Sequence, residues 1–205
     1  MNLDTIIHNP PSGQEIKYVF VLLHGWGANY HDLSSLPPLL DLPHCQYIFP
    51  NAPYAHPHVP EGKAWYALEN NNQGIRESVD TFYRWLLTLE DKTNIPLSKT
   101  IVGGFSQGGA MSLDVGLQLP VAGVCSLSGY LHFEPSTERN PFPPTLICHG
   151  TNDLIVPIQA ARDAKTKLEN VGINIQYKEY QMAHEIIPLE INVIRDFVLK
   201  QVNYK

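Results

Sequence analysis

The residues best suited to chemistry lie in Gly103-Gly104-Phe105-Ser106-Gln107-Gly108-Gly109, with Thr100-Ile101-Val102 before and Ala110-Met111-Ser112-Leu113 after. The leading run is β-branched and the trailing run suits a helix, so Gly104-x-Ser106-x-Gly108 falls on a strand-to-helix turn. Small residues let the chain turn sharply there and lift a serine hydroxyl above the sheet edge. G-x-S-x-G alone recurs by chance and also suits a plain Gly-rich turn. The strand-before, helix-after setting is what marks Ser106 as a nucleophile.

A serine hydroxyl attacks only when a base takes its proton, and the base needs an acid that fixes its tautomer and stabilises the imidazolium. In a strand-turn-helix arrangement of this type the chain order is serine, acid, histidine. Asp153 follows the apolar run Thr145-Leu146-Ile147-Cys148 and His149-Gly150, at the carboxyl end of an expected strand. Asp163 falls inside a helical pattern and is the weaker acid. After Asp153 one histidine remains, His184, four residues beyond the strand-like run 175–180.

The oxyanion of a tetrahedral intermediate needs N–H donors, in this architecture main-chain ones. Gln107, the residue after the nucleophile, supplies one. The other is expected from the turn His24-Gly25-Trp26-Gly27, which follows the apolar run 19–23, and is the main-chain N–H of Trp26. His24 and His149 each precede a glycine at a strand end and are read as turn-fixing residues. His44, His56 and His58 match no metal-ligand spacing, so no metal is expected. Cys45, Cys125 and Cys148 sit in apolar runs with no C-x-x-C pair and are read as small core residues.

These groups need a scaffold that brings strand ends together. Strand-like runs at 17–23, 46–49, 100–105, 122–127, 145–148 and 175–180 alternate with helical segments. Several are apolar throughout, as when helices cover both faces of a mostly parallel sheet. Ile75, Val79, Phe82, Leu86 and Leu89 recur at helical spacing and define one helix face. Further helices are expected after Ser106, over 158–170, and over about 185–200. The result is an α/β chain with a doubly wound sheet. Two Pro-rich stretches, 51–74 and 129–144, read as long loops bordering the ligand crevice at the carboxyl ends of the strands.

With 205 residues and 43% hydrophobic content, the chain suits one domain, 1–205. A net charge of -6 with scattered Lys and Arg offers no basic stripe, so nucleic acid is not an expected partner. No run is long and apolar enough for an integral membrane protein, and the start lacks a secretory pattern, so the cytoplasm is the expected compartment.

Taken together these residues resemble the phospholipase and carboxylesterase group that includes the acyl-protein thioesterases. The resemblance rests on residues 23–27, 103–112 and Cys148-His149-Gly150 with Asp153 and Val156-Pro157, and on Met182-Ala183-His184. Ala64-Trp65-Tyr66, Gly74-Ile75 and 122–128 extend it over most of the chain. It implies an α/β-hydrolase fold without a cap, no cofactor, and an open acyl cleft taking small or lipid-like esters, thioesters, lysophospholipids or acylated proteins. It implies Ser106 as nucleophile, His184 as base and acid, Asp153 as orienting carboxylate, and Trp26 and Gln107 as oxyanion donors. Trp65 and Ile155 correspond to positions near the acyl chain. The chain departs from the thioesterase branch at Gly129-Tyr130-Leu131, where a more tryptophan-like turn is expected. A monomer or weak homodimer is expected. The competing readings are a small serine peptidase, for which no peptide-binding segment is evident, and a catalytically silent binding protein, against which all three candidate residues stand.

Overall fold

The computed structural model describes residues 3–68, 73–135 and 141–202. Its frame is a seven-stranded sheet. The strands are β1 (Thr5–His8), β2 (Tyr18–Leu23), β3 (Cys45–Pro50), β6 (Thr100–Phe105), β7 (Gly123–Leu127), β8 (Thr145–Gly150) and β9 (Ile175–Tyr180), in the spatial order β1-β3-β2-β6-β7-β8-β9. Only β1 runs antiparallel to its neighbour; every other pairing is parallel.

The residues of β2 divide between two cores. Val19, Val21 and Leu23 face one, packed with Phe82, Trp85, Met111, Leu113, Ala161 and Leu168. Tyr18, Phe20 and Leu22 face the other, with Leu36, Leu40, Ile194, Phe197 and Val198. Helices α2 (Ile75–Leu87), α4 (Gln107–Gly116) and α5 (Ile158–Asn170) therefore cover one face, and α1 (Leu36–Leu40) and α6 (Pro188–Gln201) the other. Burial on both faces is why β2 reads as a continuous apolar run.

Three expectations are corrected. The helical run through Leu89 breaks at Thr88, whose hydroxyl bonds back to the Trp85 carbonyl, and a short α3 (Leu89–Thr93) follows. The last helix begins at Pro188, not near 185, because proline suits the first helical turn and leaves 185–187 extended or turning. The stretch 51–74 is not structureless: β4 (Tyr54–Ala55) pairs with β5 (Lys63–Ala64), and Ala67 bridges Gln73. Residues 69–72 of this stretch and 136–140 of the second Pro-rich stretch lie outside the described residues.

After β2 the chain moves to β3 on one side and later to β6 on the other, so the strand order reverses between β2 and β6. In an open α/β sheet the crevice at such a switch point is where ligands bind. The turn at Ser106 and the turn 24–27 both lie there.

Candidate active site

Ser106 joins β6 to α4 with φ 55° and ψ -118°, a conformation that a non-glycine residue keeps only when its surroundings impose it. Its N–H donates to the Leu127 carbonyl at 2.8 Å. The glycines on either side make this possible. A Cβ on Gly104 would sit 2.8 Å from the Leu23 carbonyl oxygen, and one on Gly108 would strike the carbonyls of Leu23 and His24. Helix α4 can therefore start directly against the end of β2 only with glycine at 108.

Asp153 and His184 reach Ser106 from β8 and β9. His184 Nε2 lies 2.9 Å from Ser106 Oγ and its Nδ1 lies 2.7 Å from Asp153 Oδ2. The second oxygen of Asp153 accepts the N–H groups of Ile155 at 2.9 Å and Val156 at 2.8 Å. Burial alone would raise the Asp153 pKa. The bonds from His184, Val156 and Ile155 outweigh it and hold the carboxyl below its ordinary value, so the group stays ionised beside the imidazole. His149 supports the same loop. Its Nε2 bonds to the Val156 carbonyl at 2.8 Å and lies 3.5 Å from Asp153 Oδ2, while burial lowers its pKa.

The turn 24–27 lies against Ser106: a Cβ on Gly25 would be 3.4 Å from Ser106 Cβ. His24 fixes this turn from below. Its Nδ1 donates to the Gly25 carbonyl at 2.7 Å and its Nε2 accepts the Ala52 N–H at 3.1 Å. That pattern requires the neutral ring, in keeping with a pKa lowered to about 4 by burial, with Lys63 adding to the fall and the Gly25 bond opposing it. Gln107 opens α4, so its N–H has no partner within the helix. Its side chain clamps the β5 end, accepting the Trp65 N–H and donating to the Tyr66 carbonyl, both at 2.8 Å.

Two cavities meet at Trp26 and Leu68. One, of about 570 Å³, is lined by Ser106, Gln107 and His184 together with Trp26, Leu68, Tyr130, Leu131, Ile155 and Val156. The other, of about 460 Å³, shares Trp26 and Leu68 and continues along Tyr54, Gln73 and Glu77. Among the described residues no three His, Cys, Asp or Glu side chains are grouped to hold a metal. His56 Nδ1 is occupied by the N–H groups of His58 and Val59, and its ring packs against Trp26 at 4.2 Å.

A model of the phospholipase/carboxylesterase family matches residues 7–202. The chain belongs to the phospholipase/carboxylesterase family. Acyl-protein thioesterase 1 of Mycosarcoma maydis is 30% identical over 234 aligned residues, covering 98% of each chain. The crystal structure of esterase PE8 superposes with a TM-score of 0.86 at 27% identity, over 98% of this chain and 99% of that one. Acyl-protein thioesterase 2 of Zea mays shares the fold, with a TM-score of 0.80 at 23% identity over 97% and 99% of the two chains. The protein is therefore a serine hydrolase of the α/β-hydrolase fold. No described helix is long and apolar enough to cross a membrane.

The structure brings Ser106, Gln107, Asp153, His184, Trp26 and Ile155 together. It corrects Trp65, which was expected near an acyl chain. Trp65 is fully buried, packs on His24 and Phe82, and donates its indole N–H to the His24 carbonyl at 3.1 Å, so it supports the turn 24–27 and lines neither cavity. Tyr130 and Leu131, noted in the sequence as a departure from the thioesterase branch, line the cavity, and so does Leu68, whose sequence signal is its place in the first Pro-rich stretch.

Proposed function

We propose that this chain hydrolyses carboxylic esters and thioesters through an acyl-enzyme on Ser106. The observation that carries the reading is the continuous chain from Ser106 Oγ to His184 at 2.9 Å and from His184 to the ionised Asp153 at 2.7 Å, set at the switch point of the sheet. His184 takes the hydroxyl proton as Ser106 attacks the carbonyl carbon, and the main-chain N–H groups of Trp26 and Gln107 hold the oxyanion. His184 then returns the proton to the departing alcohol or thiol. Water, deprotonated by the same imidazole, releases the acid and restores Ser106.

The cavity beside Ser106 takes the acyl group, because Trp26, Leu68, Leu131, Ile155, Val156 and Pro157 give it apolar walls, with Asp163 and Lys167 the charged groups of its lining, and its volume suits a chain of medium length. The acyl carriers are small thioesters and acylated proteins, as the name of the acyl-protein thioesterase relatives suggests, and lysophospholipids, in keeping with the phospholipase/carboxylesterase family. We infer that the enzyme works in the cytoplasm as one catalytic unit over 1–205, a monomer or weak homodimer. Its three cysteines are buried and unpaired, which suits a reducing compartment.

Replacing Ser106 with Ala tests the assignment. The variant should lose turnover of p-nitrophenyl esters and acyl-CoA thioesters and should no longer be labelled by a fluorophosphonate. Turnover or labelling retained above a mock preparation overturns it.

A further inference from the structure

The loop after β7 is tied to the nucleophile helix by a contact that the chemistry above does not use. Asp114, in the last turns of α4, has a fully buried side chain, and His132 is nearly so. Asp114 Oδ2 lies 2.5 Å from His132 Nδ1, and Oδ1 accepts the main-chain N–H groups of His132 and Phe133 at 3.4 Å. A carboxylate taken out of water is tolerated only when its oxygens find donors. Here all of these donors belong to one short segment, so that segment is where the carboxylate fixes the chain.

The His132 ring carries the constraint toward the cavity. It stands edge-on to Tyr66 and to Tyr130, each at 4.9 Å, and the hydroxyls of those two tyrosines are 2.6 Å apart. Tyr66 is itself held by the Gln107 side chain through its carbonyl. Gln107 and Asp114 are seven residues apart on one helix and so share a face. One end of α4 grips the β5 segment and the other grips the β7 loop. The two segments meet at Tyr66 and Tyr130, and Tyr130 and Leu131 form a wall of the cavity that holds Ser106.

We propose that Asp114 and His132 are positioning residues that hold Tyr130 and Leu131 as the acyl-cavity wall and so set which acyl lengths the enzyme accepts. This rests on reading Ser106 as the nucleophile and that cavity as the acyl site. Neither residue lines the cavity, so the pair acts on acyl binding and not on the reacting atoms. An asparagine at 132 can place an amide N–H where Nδ1 now donates.

The experiment compares full-length wild type, His132→Ala and His132→Asn on p-nitrophenyl acetate and octanoate. With His132→Ala, KM for the octanoate should rise about tenfold with kcat within about twofold, the signature of lost ground-state binding, and the acetate should be unaffected. His132→Asn should return most of the octanoate KM. Equal losses on both esters, a fall in kcat at constant KM, or an unchanged chain-length profile overturns the proposal. If His132→Ala does not fold, Tyr130→Phe keeps the ring and cuts the hydroxyl link to Tyr66. It should raise the octanoate KM in the same direction, and an unaltered KM overturns the proposal. A wild type that neither turns over an ester nor takes a fluorophosphonate overturns the esterase reading itself. An active wild type whose profile ignores His132 overturns the positioning role alone.

Discussion

Glu190 lies in the first turn of α6, fully buried, with no side-chain donor on either carboxyl oxygen among the described residues. Burial raises its pKa from 4.5 to about 8, against a smaller opposing effect of the Ile187 backbone. The folded protein thus keeps a proton on Glu190 that the unfolded chain has already lost above pH 4.5. The folded state binds more protons between those two values, so stability falls as pH rises through that window. The slope is about 1.4 kcal/mol per pH unit. At pH 7, about two and a half units above the unfolded value, the penalty is about 3 kcal/mol relative to pH 4.5.

Glu190→Gln keeps the shape of the protonated carboxyl and cannot ionise. Its stability relative to wild type should therefore grow with pH, from little difference near pH 5 to about 3 kcal/mol near pH 7. Urea unfolding at a series of pH values reads this directly, because the midpoint moves while the slope with denaturant stays constant. A stability difference that does not change between about pH 5 and about pH 8 would refute the reasoning, since ionisation is the only term the amide removes. So would a variant less stable than wild type across the whole range.

Two further outcomes follow from the site. Asp153→Asn should lower kcat by about four orders of magnitude, because the amide favours the wrong His184 tautomer; steady-state kinetics checks it, and a loss of only a few-fold would move the acid role to another carboxylate such as Asp163. Gly108→Ala should lower stability by about 3 kcal/mol, since the added methyl group meets main-chain carbonyls that cannot yield. Thermal unfolding should show a fall of about 2–4 °C per kcal/mol in a chain of this size, and an unchanged midpoint would mean that α4 does not need glycine where it crosses β2.

The central strands were legible because burial on both faces leaves no polar position to blur the pattern. The run at 100–105 matches β6 to the residue; the run at 175–180 also matches β9, although β9 is a half-exposed edge strand carrying Gln176, Lys178 and Glu179. The end of β8 was not, since His149-Gly150 reads as a turn and only its pairing with Glu179 and Tyr180 of β9 makes it strand. The strand β1 is a four-residue edge with a half-exposed face, and α1 begins Leu36-Pro37-Pro38, a spelling that suits a helix start as well as a loop. The candidate site was legible where it depends on local spelling, as at Ser106 between its glycines. The role of Trp65 was not, because nothing in its neighbourhood tells a ring facing a ligand from one facing His24. Asp114 and His132 were silent for a further reason: their contact crosses from a helix to a loop eighteen residues on.

The geometry of the three candidate catalytic groups depends on strand order more than on any single residue. Ser106 leaves β6, Asp153 leaves β8 and His184 follows β9, with β7 between the first two. Neighbouring strands are about 4.8 Å apart, so the serine and the acid stand about 10 Å from one another at the sheet edge, too far for direct contact. An imidazole that reaches back over β8 fills that gap with one hydrogen bond to each. It must come from a short connection that turns over the sheet, and 181–187 is that connection. It is anchored at one end by β9 and at the other by the first turn of α6, where Glu190 is buried six residues past His184. The protonation state of Glu190 therefore also bears on the segment that carries His184. Glu190→Gln should therefore widen the alkaline range over which the enzyme resists unfolding, read as ester turnover left after incubation at rising pH, and an unchanged range would refute the argument.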